Sequence, residues 1–252
     1  MLSKKQKSFV QKLFVLSFAF ALSTQTTNAM HIMEGFLPKG WCISWGIIVI
    51  PFLVLGYFKL KVQTKENPNA LLLFALAAAY VFVVSALKMP SVSGSSSHAT
   101  GIALGAILLG PAPMSIIGLI VLLFQAILLA HGGLTTLGAN IFSMAIVGAF
   151  VAYGVYILLK KMKAPGWLAV FLATFLSNMA TYATTSLELG LAYPDGASGV
   201  FGALAKFMSV FMVSQVPLAI VEGIFTVIIF EGIKKYDVFG KKGLKEVATN
   251  EQ

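Results

Sequence analysis

The chain has 252 residues, 58% of them hydrophobic and only 11% charged, against roughly 25% charged in soluble domains. Its net charge of +9 comes from lysine without any arginine, and the lysines gather at the ends of apolar runs, so the excess reports membrane topology and not nucleic-acid binding. This composition excludes a soluble fold and predicts an all-α, polytopic membrane helical bundle of one domain. The single cysteine, Cys42, excludes an intrachain disulfide and a thiolate metal cluster.

In residues 1–29, Lys4, Lys5, Lys7 and Lys12 precede an apolar run over 13–22 and a polar stretch ending on Ala29. That is the pattern of an export signal peptide, with an uncleaved anchor as its alternative. Removal after Ala29 leaves a transmembrane domain over 30–240 and a cytoplasmic tail over 241–252. The mature protein then starts Met30-His31. Its terminal amine, the amide nitrogen between the two residues and the His31 imidazole can close fused chelate rings on one Ni(II), Cu(II) or Co(II) ion. Without cleavage, His31 reads instead as an interfacial histidine packed near Trp41.

The first mature span, 41–60, runs towards Lys59, Lys61 and Lys65, which the positive-inside rule puts in the cytoplasm. Span 70–87 returns outward to a serine-rich loop over 90–99 that contains His98. A short segment of small residues, 101–110, goes inward until Pro111 and Pro113 break it, and 114–130 crosses back out to His131-Gly132-Gly133. Span 140–159 runs inward to Lys160, Lys161 and Lys163, and 167–191 runs outward to the Pro194-Asp195-Gly196 turn. The last segment, 203–235, is about 50 Å long as one helix, so it either starts outside the membrane or bends at Pro217. Seven spans follow, N-terminus out and C-terminus in, without an internal repeat of the secondary-transporter kind.

On this topology His31, His98 and His131, the only histidines, all lie towards the outer face, and histidine is the commonest neutral transition-metal ligand. His98 sits among Ser93, Ser95, Ser96, Ser97 and Thr100, hydroxyls able to fix its ring, and it reads as a ligand ahead of a loop cap. For His131 the order is reversed, because Gly132-Gly133 explains a tight turn without a ligand. Thr174, Asn178, Thr181 and Thr185 form a polar stripe that must face protein, as a hydrogen-bond seam or a cavity wall. Gly101 and Gly105 form a small-residue pair suited to close packing. Gln215 and Glu222 interrupt the last span, as a helix contact or a coupling to a partner. Glu34 either orients the N-terminal segment or is solvated. The chain contains neither a G-x-x-x-x-G-K-[ST] phosphate cradle nor an H-E-x-x-H helix.

Three stretches together carry a resemblance: Met30-His31-Ile32-Met33-Glu34-Gly35-Phe36-Leu37-Pro38, the loop from Pro90 through Ser97-His98-Ala99-Thr100-Gly101, and His131-Gly132-Gly133-Leu134-Thr135-Thr136-Leu137-Gly138-Ala139-Asn140. They resemble the CbiM family, the substrate-binding (S) membrane component of energy-coupling factor (ECF) cobalt transporters, related to the nickel component NikM. The resemblance implies that Met30, through its amine, His31, through its amide and ring, and His98 hold the metal. His131, Ser97 and Asn140 are expected in the supporting shell. It also implies partners: an ATPase pair (CbiO-like), a coupling transmembrane protein (CbiQ-like) and a small accessory membrane protein (CbiN-like). The transported substrate is expected to be Co(2+), with Ni(2+) as the alternative, and this chain is expected to bind no nucleotide and to be no enzyme itself. Two loop positions depart from the family, which often has cysteine at Ser96 and proline at Ala99. The leader is a third departure, since many relatives begin directly at the motif.

The expected protein is therefore a multi-pass cell-membrane component of cobalt import for cobalamin biosynthesis. One rival is a stand-alone secondary metal transporter, for which Glu188 and Glu222 are the candidate mid-membrane acids. The other is an intramembrane hydrolase with His98 or His131 as base, for which no serine or aspartate spacing supplies a nucleophile.

Overall fold

The structure, a computed structural model, describes residues 28–29, 31–67, 69–90 and 95–235. Met30, the expected leader other than Asn28–Ala29, and the expected tail over 241–252 lie outside the described residues. Each of the seven apolar segments expected from the sequence forms a helix: α1 (Lys39–Glu66), α2 (Asn69–Ala86), α3 (Ile102–Leu109), α4 (Pro111–Leu129), α5 (Leu137–Lys161), α6 (Gly166–Ala192) and α7 (Gly199–Lys235). Five of them, α1 and α4 to α7, are long and apolar enough to cross a membrane. At about 1.5 Å per residue, the 18-residue α2 reaches roughly 27 Å and the eight-residue α3 only about 12 Å.

The shortness of α3 has a local cause. Gly101 and Gly110 bound it at positive φ, and Pro111 starts the next helix. All eight of its residues are buried, so α3 is an insert inside the bundle and not a lipid-facing span. Ile102, Ala103 and Ala106 join Val81, Met114, Ile117, Met144 and Ala145 in the central core. Glycines set the closest approaches: a Cβ on Gly118 would lie 2.2 Å from that of Ala145, and one on Gly105 2.6 Å from Met114 Cε. By contrast α1 turns Ile43, Ile47, Ile50, Leu55 and Phe58 outward, an apolar face suited to lipid.

α1 and α5 run in the same direction, with Trp45 against Phe142 and Phe52 against Phe150. α6 and α7 run antiparallel: Gly190 faces Val200 and Leu204 at one end, while Gly166 faces Lys234 at the other. The lysine-bearing ends of α1, α5 and α7 therefore share one end of the bundle. The segments over 31–37 and 131–136 and the α6–α7 turn occupy the opposite end, where Lys206 pairs with Asp195 at 2.5 Å. That contact and the Ser198 hydroxyl hold the Asp195 carboxyl down at about 2. α7 runs through Pro217 as one helix of 37 residues, about 55 Å, which extends past a 30 Å hydrocarbon core as expected.

Two features were not expected. The serine-rich loop contains a strand: β3 (Ser95–His98) pairs antiparallel with β2 (Lys88–Pro90) and parallel with β1 (Asn28–Ala29), in the order β1-β3-β2. Within α5, Ile141–Gly148 is a π-helix, a wider winding that often marks functional positions. At its end the Ser177 hydroxyl of α6 donates to the Gly148 carbonyl at 2.7 Å.

Candidate metal centre

The segment before α1 lies across the turn between α4 and α5, and glycines let the backbones meet. A Cβ on Gly133 would stand 2.5 Å from Glu34 Cα, and one on Gly138 would stand 2.6 Å from Gly46 N of α1. Gly132, at φ 79°, carries the chain past the His31 side chain. The glycine pair therefore serves both the turn and the approach of the N-terminal segment.

Polar side chains then fasten that segment. The Ile32 N–H donates to Asn140 Oδ1 at 2.8 Å, and Asn140 Nδ2 donates back to the Ile32 carbonyl at 3.1 Å. The Thr136 hydroxyl donates to the same carbonyl at 2.6 Å. Glu34 accepts from the Thr135 hydroxyl at 2.6 Å and the Thr135 N–H at 3.0 Å, and these bonds hold its carboxyl below the ordinary value of 4.5. Glu34 thus ties the N-terminal segment to the turn before α5 while its side chain remains exposed to solvent. Asn140 acts on the backbone beside His31.

His98 ends β3 and leads into α3. Its Nδ1 donates to the Ala99 carbonyl at 2.9 Å, which leaves the ring lone pair on Nε2. Its own carbonyl accepts from Tyr182 Oη of α6 at 2.8 Å and from Gln215 Nε2 of α7 at 3.3 Å. The Ser97 hydroxyl shares a 2.7 Å hydrogen bond with Ser214, so this side chain ties β3 to α7.

These two constructions bring the three histidines together. Ring centroids of His31 and His98 are 4.4 Å apart, those of His31 and His131 4.5 Å, and those of His98 and His131 4.9 Å. All three are buried, and one ring nitrogen from each falls within 4.8 Å of the others. With a metal–nitrogen bond of about 2.0–2.1 Å, two donors on one ion stand up to about 4 Å apart, so a movement under about 1 Å gathers the set. His131 is as close to His31 as His98 is, although its glycine turn favoured a purely packing role in the sequence. The signal that could have placed it was the threonines and asparagine at 135, 136 and 140, which bind the N-terminal segment to its turn.

The polar stripe on α6 divides in two. Thr174, Thr181 and Thr185 donate to carbonyls of their own helix, whereas Asn178 donates to Glu222 of α7 at 2.5 Å. Glu222 is thus an internal helix contact. Glu188 is also fully buried, and its carboxylate has no hydrogen-bond partner among the described residues.

The CbiM family model, described as cobalt uptake substrate-specific transmembrane region, matches residues 31–238. The cobalt transport protein CbiM of Chlorobium limicola is 54% identical over 226 residues, 90% of this chain and 89% of that one. That of Acetohalobium arabaticum is 52% identical over 251 residues, 99% of each. A crystal structure of a truncated transition metal transporter superposes with a TM-score of 0.71 at 28% identity, covering 82% of this chain and 99% of that one. This multi-pass membrane chain belongs to the CbiM family and is a membrane component of cobalt uptake.

Proposed function

We propose that this chain captures Co(II) at the outer end of the bundle as the substrate-binding component of an ATP-driven, ECF-type importer, and releases it inward when an ATPase pair, acting through a coupling membrane protein, reorients it. The observation that carries the reading is the meeting of the His31 and His98 rings at 4.4 Å, buried, at the end of the bundle away from the lysine clusters. By the positive-inside rule that end faces outward. The captured metal is the transported substrate.

The ligand set is the Met30 amine, the amide nitrogen and imidazole of His31, and the His98 imidazole, four nitrogens that suit Co(II) or Ni(II) and suit Mg(II) or Ca(II) poorly. His131 walls this set, and Asn140 and Ser97 secure the segments that carry it. The amine becomes available when a signal peptide over 1–29 is removed. A small accessory membrane protein completes the complex. Nickel is the second reading, because the same donors accept it.

The test is equilibrium dialysis of the purified, matured chain against Co(II) and Ni(II), with elemental analysis. One tightly held ion per chain, lost on His31→Ala, supports the reading. A chain that holds no transition metal overturns it.

A further inference from the structure

The Glu222 carboxylate is buried in α7 and accepts four hydrogen bonds. Oε1 takes the Gly101 N–H at 2.7 Å and the Thr100 hydroxyl at 2.9 Å, and Oε2 takes the Thr100 N–H at 3.0 Å and Asn178 Nδ2 at 2.5 Å. Asn178 Oδ1 in turn accepts from Gln215 Nε2 at 2.8 Å, and the same Gln215 nitrogen reaches the His98 carbonyl. One chain of contacts therefore runs from the carboxylate to the backbone of His98, and a second closes on it through Thr100 and Gly101, the two residues that precede α3.

A packing role does not account for the residue type. The threonines of α6 already satisfy themselves within their own helix, and an acid in a membrane-level helix is costly. What a carboxylate alone supplies is acceptors on both oxygens, with no donor to oppose the two backbone N–H groups, the hydroxyl and the amide aimed at it.

We infer that Glu222 is a positioning residue for metal capture: by holding Thr100 and Gly101 directly, and the His98 carbonyl through Asn178 and Gln215, it presents the His98 ring to His31. This rests on the reading of His98 as a ligand. It also makes α6 and α7 the helices that move with that ligand, since the holding groups are Asn178 and Tyr182 on one and Gln215 and Glu222 on the other.

The experiment compares wild type with Glu222→Gln, which keeps the shape and turns an NH2 group towards the donors. Co(II) affinity is read by dialysis, and ligand geometry by the visible d–d spectrum at saturating Co(II). The expected result is binding weaker by about 10–100-fold with displaced d–d bands. A merely structural role would lower thermal stability and leave the saturated spectrum unchanged. Wild-type affinity with wild-type bands, or weaker binding with unchanged bands, overturns the inference. If Glu222→Gln is not recovered from membranes, Gln215→Leu cuts the path from Glu222 through Asn178 to the His98 carbonyl, while leaving that carbonyl its Tyr182 donor and Glu222 its bonds to Thr100 and Gly101. Displaced bands then support the inference, and unchanged bands overturn it. A wild-type chain that binds no cobalt sinks the ligand assignment itself, and this inference with it.

Discussion

Asn140 holds Ile32 as a neighbouring strand would, accepting from its N–H at 2.8 Å and donating to its carbonyl at 3.1 Å, across more than a hundred residues of sequence. The residue after His31 is thereby fixed to the first turn of α5. Asn140→Ala leaves a buried N–H without its partner, a cost of about 1–3 kcal/mol, and should release the segment. Hydrogen exchange at the Ile32 amide is expected to rise and Co(II) affinity to fall. Asn140→Asp keeps the bond to the N–H and should lie between the two.

Gly133→Ala places a Cβ 2.5 Å from Glu34 Cα and 2.6 Å from Glu34 N, and backbone cannot step aside as a flexible side chain would. The N-terminal segment should be displaced, with weaker metal binding and a lower midpoint of thermal unfolding. Gly154→Ala, which meets nothing within 4 Å, is the control and should bind as wild type. Equal behaviour of the two variants would show that this contact does not shape the site.

His31→Ala and His98→Ala should each abolish tight cobalt binding, while His131→Ala should weaken it without abolishing it. Dialysis with elemental analysis separates these outcomes. Complete loss in all three would make His131 a ligand, a result its 4.5 Å separation from the His31 ring accommodates.

Acid should empty the site. An unperturbed terminal amine has a pKa of about 8 and imidazole about 6.5, so protons compete with the metal, and retention should fall as pH drops from 7 to 5. Glu34 is not the cause of that loss. Its carboxyl is held below 4.5 by Thr135, so its contribution to stability is complete above the unfolded value and disappears only as pH falls through the lower, folded one. Glu34→Gln removes no proton that titrates between pH 7 and 5, so the steepness of acid release in that window should be unchanged even where the affinity differs. A changed steepness would place Glu34 within the titrating set.

The mature chain should begin at Met30, which intact mass of membrane-extracted protein reads directly. A variant matured with one extra glycine before Met30 should lose cobalt at neutral pH, because the amine no longer adjoins the His31 amide. Full retention would show that side chains bind without the amine.

Much of this protein was legible in its sequence. Apolar run length marked the five helices long enough to cross, because a bilayer core demands a set number of apolar residues, and the Met-His start and the His98 and His131 stretches pointed to the CbiM family to which the chain belongs. Glycine and proline around 101–111 predicted a short third helix, since both act locally on backbone geometry. The rest was decided by contacts between distant residues. A serine tract carries no strand signal of its own, and β3 exists because β1 and β2 supply its hydrogen bonds. Gly132-Gly133 looks like any tight turn until Glu34 is laid against it. Glu222 is only an acid in a membrane helix until α3 and Asn178 turn four donors towards it. Local periodicity records which face of a helix meets protein, but it holds no information on which remote group arrives there. For that reason the sequence determined the helices and the family, and only the tertiary structure decided that three histidines share one buried volume.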